Sequence, residues 1–136
     1  MAKVYSGKVI IPGDKINEYF KIMAEAEKKR EPFRQYLLDI NNEFYEFLQS
    51  KVSQRTARKH SSIVELFIDF ICHQTDVESI HEITKGMVGT HFKNWWKRKG
   101  WDSTTPDELR VALRKFFSFL AEIKGIVNEK ALNALE

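Results

Sequence analysis

One cysteine, three prolines and six glycines in 136 residues are few, and each shortage closes off a class of protein. Cys72 alone cannot build a disulfide framework or a Cys-x-x-Cys metal knuckle within one chain. It lies in the apolar run Phe70-Ile71-Cys72 and reads as a small buried hydrophobe. No run approaches the ~18 apolar residues of a membrane span. No signal peptide opens the chain, so a reducing cytoplasm is the expected setting. Valine is scarce beside Leu, Phe, Lys and Glu, a usage that favours helices over sheets. What is present is apolar bulk: 43% hydrophobic residues and ten Phe are enough for a real core. The length fits one domain, or one domain with a terminal appendage.

The net charge of +3 is small, and its distribution says more than its size. Residues 1–50 carry eight basic and eight acidic side chains, residues 51–101 nine and five, and residues 102–136 five and six. The positive excess therefore sits in the middle third. Within it, Lys51 to His60 holds four formal positive charges and no acid, with hydroxyls at Ser53 and Thr56. The apolar spacing of Ile63, Leu66, Phe67, Phe70 and Ile71 follows directly. A basic, hydroxyl-rich first turn ahead of a core-facing stripe predicts a helix with one end suited to an anion.

Periodicity predicts helices along most of the chain. Residues 1–13 alternate weakly around Ser6-Gly7 and stop at Pro12-Gly13, as a short hairpin or loose arm would. Asp14 is expected to cap a helix with the stripe Ile16, Tyr19, Phe20, Met23, ending in the charged run Glu27 to Glu31. Pro32 is expected to open a second helix bearing Phe33, Tyr36, Leu37, Ile40, Phe44, Phe47 and Leu48. Ser53 is the expected cap of a third, running to about Gln74. Thr84 is the expected cap of a fourth, with Val88, Phe92 and Trp95 inward, Lys93 and Lys97 outward, and a stop at Gly100. The start signal Asp102-Ser103-Thr104-Thr105-Pro106 opens a fifth that buries Leu109, Ala112, Leu113, Phe116, Leu120 and Ile123 and ends at Gly125. A tail helix over 128–135 completes the series. The expected fold is all-α, a compact bundle of four to five helices with an N-terminal helical extension. The expected division is an arm and added helix over 1–40, a helical core over 41–130 and a tail over 131–136.

The string Ser53-x-x-Thr56-x-x-x-His60-x-x-x-Val64-x-x-Phe67-x-x-Phe70-Ile71 resembles the start of the core-binding (SAM-like) domain of phage-type tyrosine recombinases. Ile83-Thr84 is similar to the family's linker ending, and Thr105 with Leu113 to Leu120 is similar to its closing helix. Ile126-Val127-Asn128 is similar to its exit. The likeness spans roughly residues 40–130, and its spacing over three helices is more specific than any one motif. It departs where His60 stands for the usual Tyr, where Pro106, Asp107 and Glu108 stand for Asn and Arg, and where Glu129 follows Asn128. The family's catalytic set of two Arg, a His and a Tyr nucleophile finds no matching spacing here. The resemblance therefore implies a DNA-binding half without chemistry, either as a recombinase fragment or as a free-standing relative. Its implied partners are double-stranded DNA and other recombinase protomers, with no cofactor, metal or membrane.

Two segments would carry that contact. The first is Lys51, Gln54, Arg55, Thr56, Arg58 and Lys59, where orphan amides and helix dipole favour a phosphate. The second is Lys93, Lys97, Arg98 and Lys99, with Asn94, Trp96 and Trp101 beside them. Gln54, Arg55 and Arg58 are the candidates for base edges, because amides and guanidinium groups offer bidentate geometry. Thr56 reads equally well as a helix cap. Trp96 and Trp101 either stack on bases or pack under the adjacent loop, the commoner fate of Trp.

Nothing in the sequence assembles a catalytic set. His60, His73, His81 and His91 do not share the i, i+4 spacing of a metal pair. Cys72 and His73 are neighbours and diverge from a helix, so they make no nucleophile–base pair. The rival reading is a helical protein-interaction domain without direct DNA contact, using the mixed charge of residues 14–50 and exposed aromatics such as Tyr45.

Overall fold

The computed structural model describes residues 4, 12–99 and 104–136. Five α-helices carry the architecture: α1 (Ile16–Gln49), α2 (Gln54–Gln74), α3 (Phe92–Lys99), α4 (Pro106–Glu122) and α5 (Glu129–Leu135). No strand forms among the described residues; Val4 makes an isolated antiparallel bridge to Thr75. The hairpin or arm expected over residues 1–13 lies almost wholly outside the described residues, as do the stop at Gly100, Trp101 and the first two residues of the Asp102 start signal.

The helix starts expected at Ser53, Thr84 and Thr105 are built. Ser53 Oγ accepts the amide of Thr56 at 3.2 Å at the head of α2. Thr84 Oγ1 accepts the amide of Met87 at 3.3 Å, opening a helical turn that winds loosely through Met87–His91 into α3. At α4 the Thr105 hydroxyl accepts from Glu108 N while Glu108 Oε2 accepts from Thr105 N, a reciprocal cap with Pro106 in the first turn. Gly125 takes φ +69°, the left-handed region open to glycine, and turns the chain out of α4.

Two expectations fail in α1. Pro32 starts no helix; it lies inside one continuous helix of 34 residues. A proline there removes one hydrogen bond and crowds the carbonyl four residues back, at about 3 kcal/mol. Docking on both sides of it offsets that cost. Arg30 hydrogen-bonds to the end of α2, Arg34 pairs with Asp69 at 3.1 Å, and Leu37 is buried. Asp14 makes no side-chain cap; it sits in a 3-10 turn, Gly13–Lys15, that leads into α1.

The core gathers aromatics from every long helix. Phe44 of α1 meets Phe116 and Phe119 of α4, and Phe67 of α2 meets Phe117 of α4 and Phe92 of α3. Phe70 contacts both Phe92 and Trp95. These edge-on and tilted ring pairs each add about 0.5–1.5 kcal/mol beyond burial. Buried polar side chains fix the register. Asn41 Nδ2 donates to the Ser61 carbonyl and Ser61 Oγ donates to Asn41 Oδ1, tying α1 to α2. Asn128 caps α5 through Ala131 N and donates from Nδ2 to the carbonyls of Ile80 and Ile83, both at 2.9 Å. Ile123, expected inside, is exposed: α4 ends at Glu122, and Ile123 is its C-cap, with its amide still bonded to the Phe119 carbonyl at 2.9 Å.

Candidate nucleic-acid interface

The first turn of α2 carries Gln54, Arg55 and Arg58 on its exposed side, with exposed Lys51 just before it. Among the described residues Arg55 makes no hydrogen bond or ion pair with another side chain, whereas Arg58 is steered. Its Nε donates to the Tyr45 hydroxyl at 3.4 Å. That hydrogen bond first, with the side-chain amides of Gln49 and Gln54 nearby, holds the Tyr45 pKa below the ordinary value. Tyr45 is half-buried and engaged with this cluster, so it is not the exposed aromatic expected from the sequence. The Lys51 ammonium stands 5.6 Å over the Phe47 ring, and the residue is exposed.

Thr56 is spent locally. Its amide donates to Ser53 Oγ, and its hydroxyl oxygen accepts from the same Ser53 hydroxyl at 3.0 Å. Lys59 is also engaged: its Nζ lies 3.0 Å from Glu108 Oε2, the oxygen that accepts the Thr105 amide. Beside it His60 is buried, with Nδ1 unpartnered. Burial first, then the charges of Lys115 and Lys59, pushes its pKa below the ordinary 6.5. The imidazole is therefore neutral at physiological pH.

The second segment lies on α3, which docks on the middle of α2 through Phe92 on Phe67 and Trp95 on Phe70. Lys97, Arg98 and Lys99 are exposed, and Lys93 is half-buried. Lys99 sits 5.7 Å over the Trp95 ring. Trp95 and Trp96 are both buried, so Trp96 packs. No hydrogen bond or ion pair joins the α2 set to the α3 set among the described residues; their shared element is the aromatic core beneath them.

Sequence reasoning missed three participants. Tyr45 lies thirteen positions before the arginine it orients. Glu108 was legible only as a first-turn acid, though it neutralises Lys59. Lys115 of α4 brings a cation near enough to His60 to help lower its pKa. Each is a contact between helices, and spacing along one helix cannot show it. Among the described residues no three His, Cys, Asp or Glu side chains converge to hold a metal. No helix there is long and apolar enough to cross a membrane.

This geometry defines an all-α module whose cationic side chains stand at helix ends above an aromatic core. Residues 42–124 match the model of the phage integrase N-terminal SAM-like domain, and the chain belongs to that family. The match is to the N-terminal domain alone. Comparison with curated proteins and with solved structures returned no match.

Proposed function

We propose that this chain is the DNA-binding module of a site-specific recombinase or integrase, clamping duplex DNA without chemistry of its own. The observation that carries the reading is the set of exposed cations Lys51, Arg55 and Arg58 at the head of α2, within a domain of the integrase family. Lys51, Arg55 and Arg58 offer cations there, and the α3 residues Lys97, Arg98 and Lys99 supply a second row. Gln54 and the two arginines have the bidentate geometry that base edges need, and every cation of the set, the arginines included, can meet phosphates. Thr56 and Lys59 contribute less, because each already has a partner. The contacting unit is the helical core of residues 41–130, and the early part of α1 is an addition to it.

With four to six phosphates engaged, the logarithm of affinity falls against the logarithm of salt with a slope of roughly −4 to −5. Fluorescence anisotropy with a labelled duplex at about 50 mM salt tests this directly. The double change Arg55→Ala, Arg58→Ala should weaken binding at least tenfold and make the slope shallower by about two units. Binding that survives this change unaltered rejects the α2 head as the contact surface.

A further inference from the structure

Among the described residues, helix α1 carries an apolar row that the rest of the fold leaves half uncovered. In the body of the domain the row at spacings of three and four reads Phe33, Leu37, Ile40 and Phe44, the last three buried and Phe33 packed against the core. Followed toward the N-terminus in the same steps it passes Arg30, Ala26, Met23, Tyr19 and Ile16. Arg30 marks the end of cover, because its guanidinium meets the last carbonyls of α2. Beyond it Ile16 and Met23 of the row are 41% and 43% exposed and Tyr19 is half-buried, while Phe20 and Ile22 on its flanks are 60% and 63% exposed. The same helix face therefore continues past its partner for about 20 Å at 1.5 Å per residue.

We propose that this arm pairs antiparallel with the arm of a second copy of the chain. Continuity is the first argument: the row that α2 covers in the body is the row left open in the arm. Size matching is the second. An antiparallel pair centred near Lys21 sets Ile16 against Ala26 of the partner and Tyr19 against Met23, large beside small in one case and interlocking in the other. Phe20 and Ile22 then meet their own copies on the two flanks of the seam. This overlap ends before Arg30, so each domain body lies clear of the other's arm; a parallel pair would bring the bodies together. Charge is the third. From Lys15 to Lys29 the arm holds four bases and three acids, nearly neutral, which suits self-pairing and offers a DNA backbone or an anionic surface little.

Two arms of this length bury on the order of 400–500 Å² each, below the ~800 Å² per partner of a standard interface. The dimer is therefore weak. The pairing stands independently of DNA binding. Sedimentation equilibrium across about 5 µM to 1 mM should show one chain passing to two. Phe20→Glu should weaken that association at least tenfold while leaving the melting temperature unchanged, since the residue is exposed. Oxidation should crosslink Ile22→Cys across the twofold and not Ile16→Cys, with buried Cys72 silent. A wild type that stays single at every concentration overturns the proposal. So does a Phe20→Glu chain that dimerises undiminished, or equal crosslinking from Ile16→Cys. Binding of the monomer to anionic vesicles that Phe20→Glu abolishes would reassign the stripe to a lipid surface.

Discussion

Arg30 of α1 donates from Nε to the carbonyl of Cys72 at 3.0 Å, and from one terminal nitrogen to the carbonyls of Ile71 and Val77. A helix leaves its last carbonyls without intrahelical donors and carries partial negative charge there. One guanidinium answers both needs at the end of α2 and anchors the following turn through Val77.

Replacing Arg30 by Ala should lower stability by about 2–3 kcal/mol, because partly buried acceptors lose charged donors. Arg30→Lys should recover less than half of that, since a point charge cannot reach three carbonyls at once. Urea unfolding of the two variants checks the order. Equal midpoints for wild type and Arg30→Ala would reduce the contact to decoration.

Asn128 is the corresponding clasp at the other end of the chain. Its amide group donates twice, to Ile80 and Ile83, and its oxygen accepts from Ala131. Asn128→Ala should cost about 2–4 kcal/mol, combining a lost cap with two stranded carbonyls. Asn128→Asp keeps the cap but aims a carboxylate at those carbonyls, so it should be no better than Ala near neutral pH. Thermal melts of both variants decide the point.

Much of this fold was legible because helix caps and apolar spacing are local signals. Ser53, Thr84 and Thr105 announce helix starts through their own backbone, and the Phe stripes follow one helix at a time. Pro32 misled for the same reason: its local preference for a first turn lost to Arg30, Arg34 and Leu37 docking on α2. The cationic side chains were visible as composition, but their partners were not. Lys59 looks like any surface lysine until α4 brings Glu108 beside it, and Ile123 looks like core until the helix ends one residue earlier.

His60 couples stability to pH. Its folded pKa lies below 6.5 through burial, Lys115 and Lys59, so the unfolded chain takes up the proton first as pH falls. Stability is therefore full above about pH 6.5 and declines as pH drops from there toward the folded value. Urea midpoints between about pH 7.5 and pH 5 should show this decline before most carboxylates titrate. His60→Phe, filling the same space without a titrating ring, should flatten the profile. A profile equally steep in both proteins would assign the proton to another group.

Glu108 holds Lys59, one of the cations of the proposed DNA face. One oxygen of this carboxylate accepts the Thr105 amide at 3.1 Å and meets the Lys59 ammonium at 3.0 Å. A phosphate approaching Lys59 must compete with it, and the acid itself repels the DNA backbone. Glu108→Gln keeps an acceptor for the cap and removes the charge. Stability should change by no more than about 1 kcal/mol, since both side chains are well exposed. Duplex affinity should rise about two- to fivefold, with the salt slope steeper by nearly one unit as Lys59 joins the contact. Adding Lys59→Ala to Glu108→Gln should cancel the steeper slope. If Glu108→Gln leaves both affinity and slope where they were, Lys59 lies away from the duplex and the contact is confined to the outer side of α2.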